Sequence, residues 1–439
     1  MGKHKLLKEL STIKTAQRRL SNLSTQARNT MLYTIADVLE QQAQRIFDAN
    51  DRDLQIADQE NIELPLRKRL VFDQNKLVEA CAGIRQVAAL PDPIGRVRER
   101  RLLDDNLLLE RVNVPIGVIG MIFESRPDAL IQILALCLKS GNAIVLKGGR
   151  EALYTNKELV SVIREALSDN KVGSEWIVHM ESREDVQEIL QLDTIIDLLI
   201  PRGSNDFVRY IMDNTKIPVL GHADGLSSLY IDKESDIEMA LTVTVDSKCQ
   251  YPAVCNAVET LLVHSAVASQ FLPRLKKAFE PWSVIIHGDE RVAEIIPCQP
   301  ATAAVWDTEF LGYEIAIKIV DSLQEAIDHI TYHGSAHTDA IITSNKTTAQ
   351  RFLREVDSAD VFWNCSTRFA DGFRFGLGAE VGISTQKIHA RGPVGLDGLV
   401  TSKWLLAGDG QIVAPYAQGK PFKHIDMALD GTSLWKEEA

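Results

Sequence analysis

Two cysteines stand six positions apart in DSKCQYPAVCNAVETLLVH (246–264), a stretch that passes from polar residues into an apolar, strand-like run. A cysteine side chain is a nucleophile and metal ligand as its thiolate and a small hydrophobe as its thiol, so Cys249 and Cys255 admit four readings: metal ligands, half of a disulfide, buried filler, or a nucleophile beside a bystander. Structural zinc takes four nitrogen or sulfur donors, typically at CxxC or HxxxH spacing. The gap here is wrong for that, and the nearest histidine, His264, falls at the end of the expected strand, so no metal is expected. A disulfide is disfavoured by a reducing compartment. Cys255 lies between Pro252, Ala253 and Asn256, Ala257 on a turn entering VETLLVH, where a thiol is partly exposed. Cys249 follows Lys248, whose charge lowers a thiol pKa. Spacing alone does not choose between the two.

Three other stretches have the composition of a site. VLKGGREA (145–152) and IPRGSND (200–206) each put glycine between a buried strand and a helix, where backbone N–H groups and the helix dipole meet a phosphate. Neither is GxGxxG, and turn glycines at such junctions are commonly structural. FESRPD (123–128) is a polar cluster after one strand and before an apolar helix, with Ser125 as expected N-cap and Pro127 in the first turn. In open α/β sheets, ligands bind beyond the carboxyl ends of strands, so its position suits a site as well as a cap.

The elements that must hold these residues read as two α/β domains. From Arg111, RVNVPIGVIGMIFE reads as a continuous strand; SRPDALIQILALCLKSGN as a helix; and AIVLKGG, EWIVHM and TIIDLLIPRGS as strands separated by helices. Alternating strands and helices of ten to fifteen residues mean βαβ units and a mostly parallel sheet. A second series runs through LSSLYID, VETLLVH, SVIIHG, AAVWD, EIAIKIV, DAIIT and DVFWNCS. Before them, apolar residues at three- and four-residue intervals predict N-terminal helices, with Asn50 closing the pattern. The strand-like TSKWLLAG in the tail belongs to no obvious domain and is expected to pair with a neighbouring subunit.

Length and charge bound the partners. A chain of 439 residues suggests two or three domains. A net charge of −12 argues against nucleic acid and anionic membranes. The longest apolar run, ALIQILALCL (129–138), is far short of the roughly 20 residues of a spanning helix. The charged N-terminus has no hydrophobic stretch or cleavage site, and six cysteines are scattered without CxxC pairs, so a reduced, cytoplasmic protein is expected.

Taken together, GVIGMIFESRPDAL, SGNAIVLKGGREA, IPRGS, YPAVCNAVETLLVH, NCSTRFADGFRFGLGAEVGIST and HARGPVGLDGLVTSKW resemble the aldehyde dehydrogenase superfamily and, within it, the γ-glutamyl phosphate reductase family, including the reductase half of pyrroline-5-carboxylate synthase. The resemblance implies an aldehyde dehydrogenase-like fold: a cofactor-binding domain at 1–104 and 116–231, a cysteine domain at 232–385, and an oligomerisation strand and tail at 105–115 and 386–439. It implies Cys255 as nucleophile, with Ser125 and Asn256 near its oxyanion. Lys147 falls on the lysine that holds the adenosine ribose, with Gly148 also among the cofactor-binding positions, Gly203 and Ser204 fall beside the pyrophosphate, and Glu309 falls where a glutamate holds the nicotinamide ribose. Arg150 replaces a glutamate of NAD-preferring relatives and favours NADPH, a guanidinium being able to fork onto a 2′-phosphate. Arg126, Arg368, Arg374 and Arg391 are candidates for the substrate's anionic groups. Where aldehyde dehydrogenases carry the glutamate that activates water, this chain aligns His222, so thioester hydrolysis is not expected. The implied reaction is NADPH-dependent reduction of L-glutamate 5-phosphate, with coupling to a glutamate 5-kinase and assembly into a homodimer or larger homo-oligomer. The alternative is another superfamily enzyme acting on a different aldehyde or acyl substrate.

Overall fold

The computed structural model describes residues 3–124, 126–168, 173–181, 185–221, 224–429 and 433–435. The chain forms two compact units. One comprises the residues up to Gly203, Tyr210–Val219 and those from Gly395 on; the other comprises Ser204–Arg209 and Leu220–Val394.

The first unit opens with the expected helices, among them Lys3–Ser21, Thr25–Gln41, Ala43–Gln59 and Gln74–Ala89. Asn50 does not close the pattern but lies inside the third. Its amide donates to the Leu70 carbonyl (2.9 Å) and the Thr155 hydroxyl (3.1 Å) and accepts from Phe72 N–H (2.9 Å), and these tertiary bonds outweigh its preference for a terminus. Four parallel strands follow in the order Ile177–Met180, Ala143–Gly148, Val118–Phe123, Leu198–Arg202. The two central strands are buried at every residue, which is why they read as unbroken apolar runs.

RVNVPIGVIGMIFE is two strands, not one. Leu107–Pro115 belongs to a four-stranded antiparallel sheet and Val118–Phe123 to the parallel one. Pro115 supplies no N–H to a ladder. Gly117 has φ +138°, and a Cβ there would press against the carboxylate of Asp197, which accepts Val118 N–H at 2.8 Å. The tail strand Val400–Ala407 pairs on one side with Leu107–Pro115 of its own chain, from Val400 opposite Pro115 to Ala407 opposite Leu108. It is the edge of that sheet, with Trp404 (54%) and Leu406 (58%) exposed.

The second unit holds a wholly parallel seven-stranded sheet, ordered Gln299–Pro300, Ile285–Gly288, Glu314–Val320, Val258–His264, Ser227–Ile231, Thr338–Ile342, Asp360–Trp363. Ser227–Ile231 lies inside it, so this strand stands with the second unit, whereas the sequence put residues up to 231 in the first domain. AAVWD is a 3-10 turn, Ala303–Asp307, instead of a strand; Val305 N–H closes it on the Thr302 carbonyl (3.1 Å), and Trp306 meets the edge of His329 at 5.3 Å. The core under this sheet is built from Leu229, Leu261, Val263, Phe271, Phe279 and Ile317.

Candidate active site

Helix Ile237–Cys249 starts at Asp236, whose carboxylate caps Met239 N–H (3.0 Å), and ends at Cys249. The following turn carries Cys255 and enters strand Val258–His264. This local order separates the two thiols. Cys249 faces the core at 1% exposure, and burial pushes its thiol up to about 11. Lys248 pulls the other way and loses, because its ammonium is committed to Glu259 at 2.6 Å. Cys255 is half-buried on the turn. A thiol that stays protonated in the core is inert; the one on the turn is available to a ligand.

The Cys255 backbone is gripped from the neighbouring strand. Ser227 Oγ donates to the Cys255 carbonyl (3.0 Å), and Gly225 packs so tightly that a Cβ on it would lie closer than 3.0 Å to Cys255 Cα, Cβ and carbonyl oxygen. Asn256 is buried, and its Nδ2 donates to the Ala370 carbonyl (2.8 Å), tying the turn to the segment that carries Arg368. Arg368 is itself buried, with Nε on Gln250 Oε1 (3.0 Å). Its guanidinium pKa is lowered first by burial and then by Arg374, while the Cys255 sulfur lies near enough to oppose the shift. Arg374 donates to the Arg368 carbonyl at 2.6 Å. Arg368 and Arg374 are thus joined to each other on the segment that Asn256 ties to the Cys255 turn.

Arg391 is held by Asp357, through its side chain (2.8 Å) and its carbonyl (2.6 Å). Arg126 is exposed and, in place of Ser125, is the N-cap residue of helix Pro127–Lys139. Ser125 and His222 lie outside the described residues.

Glu309 also faces this part of the second unit. Its carboxylate accepts from Asn205 Nδ2 (2.6 Å) and from the Gly225 N–H. Burial raises its pKa against those donors, and neighbouring Asp224 adds to the rise. Gly225 therefore touches both the nucleophile's backbone and this carboxylate. Sequence reasoning missed it, along with Asn205 and Glu259. The ADGLSS stretch held the signal, a glycine just before a buried strand.

In the first unit, Lys147 and Gly148 end strand Ala143–Gly148, and the Lys147 ammonium is buried against the Gly148 carbonyl. A Cβ on Gly148 would collide with the Asn156 amide, so the strand exit has room only for backbone. Arg150 follows at the surface, paired with Glu60 at 2.6 Å. Gly203 follows strand Leu198–Arg202, and the Ser204 carbonyl accepts Val208 N–H in the first turn of helix Asn205–Asp213. Among the described residues no group of three His, Cys, Asp or Glu side chains is placed to hold a metal ion.

The chain can be compared with known proteins. The sequence profile of the aldehyde dehydrogenase family matches residues 3–295. The γ-glutamyl phosphate reductase of Ruminiclostridium cellulolyticum is 55% identical over 410 residues, 93% of this chain and 95% of that protein. The crystal structure of γ-glutamyl phosphate reductase from Thermotoga maritima superposes with a TM-score of 0.91 at 38% identity, covering 93% of this chain and 99% of that one. An engineered glycolyl-CoA reductase with bound NADP+ shares the fold, with a TM-score of 0.63 at 15% identity over 91% of this chain and 96% of its own. The chain belongs to the aldehyde dehydrogenase family and, within it, to the γ-glutamyl phosphate reductases.

Proposed function

We propose that this enzyme reduces L-glutamate 5-phosphate to L-glutamate 5-semialdehyde with NADPH, releasing phosphate, as the second step from glutamate to proline. The observation that carries the reading is a clamped, half-exposed Cys255 on a turn tied to the segment of the buried Arg368, while Cys249 is sealed in the core. The Cys255 thiolate attacks the acyl carbon, the C–O bond to phosphate breaks, and the departing phosphate takes a proton from water. Sulfur is a strong nucleophile and phosphate a good leaving group, so the thioester forms readily. The Cys255 N–H holds the oxyanion, a contact typically worth about 3 kcal/mol. Arg368 and Arg374 offset the charge of the phosphate and the substrate carboxylate. After hydride reaches the thioester carbon, the C–S bond breaks, giving aldehyde and free thiolate. No carboxylate base for water is aligned, so the thioester survives until it is reduced.

Bound NADPH supplies that hydride. The residues fit such a group: Glu309 is a half-buried acceptor suited to a ribose diol, and Lys147 is a buried cation at a glycine-lined strand exit. Arg150 serves the 2′-phosphate. Its present partner Glu60 is an exposed pair of small worth, which a dianionic phosphate displaces. Arg150→Glu is expected to raise the KM for NADPH about 10- to 100-fold, the worth of a charge-assisted bond, and to leave that for NADH within about threefold. Equal losses with both cofactors would remove Arg150 from this role.

The chain assembles as a homo-oligomer through its open sheet edge and works in the cytoplasm, receiving its labile substrate from a glutamate 5-kinase. No helix among the described residues is long and apolar enough to cross a membrane. A coupled assay with glutamate, ATP, a glutamate kinase and NADPH tests the reaction: NADPH must be consumed only when the kinase is present. Run in reverse, semialdehyde oxidation must require added phosphate, and oxidation without it would point to a hydrolytic aldehyde dehydrogenase.

A further inference from the structure

A buried ion pair lies beneath the turn that carries Glu309. Lys248 Nζ is 2.6 Å from Glu259 Oε2, with side-chain exposures of 0% and 1%. The other carboxylate oxygen of Glu259 accepts the backbone N–H of Leu311 at 3.4 Å. Leu311 is in the left-handed region, at φ +53°, a conformation uncommon for a branched apolar residue. Its side chain is exposed, so core packing does not impose that backbone. Next to it Phe310 stacks on His287, with ring centres 5.2 Å apart and planes at 6°, and faces the Lys248 ammonium at 5.8 Å.

Core stability does not account for this pair. Taking two charges out of water costs more than their attraction returns unless further bonds satisfy them, and well-packed apolar residues serve a core as well or better. Burial pushes both groups towards their neutral forms while their contact resists it. Both side chains are sealed from solvent, so neither meets substrate. What the pair reaches is the N–H two residues beyond Glu309.

We propose that Glu259, held in place by Lys248, is a positioning residue that pins the 309–312 turn through Leu311 and so sets where Glu309 presents its carboxylate to the dinucleotide. Asn205 and Gly225 hold the Glu309 carboxylate itself; Glu259 holds the backbone behind it. The inference rests on the reading of Glu309 as the ribose acceptor.

Two double variants isolate the Leu311 contact. K248M/E259L removes the charges and the acceptor, whereas K248M/E259Q removes the charges and leaves an amide oxygen facing Leu311 N–H. Direct fluorescence titration with NADPH is expected to show binding weakened about tenfold or more in the leucine variant and kept within about threefold of wild type in the glutamine variant. Labelling of Cys255 proceeds at the wild-type rate in both, which a general loosening of the unit would not allow. Equal NADPH affinity in the two variants overturns the proposal. Should K248M/E259L fail to fold, Glu259→Asp, which keeps the charge but draws the oxygen back from Leu311, must show the weakened binding; wild-type affinity there overturns it equally. Glu309→Gln separates the two layers. Weak binding in Glu309→Gln with normal binding in K248M/E259L sinks only the positioning role, while normal binding in Glu309→Gln sinks the ribose reading and the proposal with it.

Discussion

Cys255→Ala is expected to abolish acyl-phosphate-dependent NADPH oxidation, with a loss of about 10⁴-fold or more, the scale on which removing a covalent nucleophile acts. Cys249→Ala is expected to keep most of the activity. The two thiols are six positions apart in the chain, and the fold treats them oppositely. Cys249 ends a helix with its sulfur in the core, where deprotonation is unfavourable even beside a lysine, because that lysine already neutralises Glu259. Deleting a sulfur there leaves a small cavity costing about 1 kcal/mol, read as a lower unfolding midpoint and not as a lost turnover. Cys255 is half-exposed, with a guanidinium nearby. Steady-state assays of both variants, with rapid thiol labelling of the native protein, decide the matter; full activity in Cys255→Ala would end the assignment.

Gly225→Ala is expected to lower kcat about 100-fold while the protein still folds, the size of effect that follows when a reacting group moves by about an ångström. The added methyl would sit closer than 3.0 Å to three atoms of Cys255, two of them backbone, so no flexible side chain can swing aside. No left-handed φ is involved at Gly225, so the cost is one of space. Because the Gly225 N–H also donates to Glu309, the same displacement raises the KM for NADPH. Gly83→Ala is the control. A Cβ there meets nothing within 4 Å, and helix Gln74–Ala89 gains roughly 0.5–1 kcal/mol from the exchange with activity unchanged. Wild-type kcat in Gly225→Ala would show that the clamp on Cys255 is slack.

How far the sequence reached follows from the range of the interactions involved. Strands buried on both faces, such as Ala143–Gly148 and Val258–His264, announce themselves as apolar runs, and two α/β domains followed from their alternation with helices, while the aldehyde dehydrogenase-like fold was what the resemblance implied. Chain blocks with specific wording pointed to Cys255 and to the reductase family. What escaped was set by distant partners. Asn50 stays helical because Thr155 and Phe72 satisfy it, and AAVWD curls because Trp306 packs on His329 instead of joining a sheet. Lys248 looked like an activator of its neighbour, and only the structure shows its charge given to Glu259, eleven positions on. Gly225 and Asn205 escaped for the same reason, since what matters about each is the atom it faces.

The outer rim of strand Val400–Ala407 has a consequence for handling the enzyme. A row of ladder groups with no strand beside it among the described residues, flanked by Trp404 and Leu406, is a template for adding further chains. If the proposed homo-oligomer covers this rim, dilution or mild denaturant that separates its chains is expected to bring on precipitation through the rim while the Cys255 turn is still intact. Loss of activity on storage is therefore expected to appear as turbidity, with the surviving soluble fraction fully active per molecule.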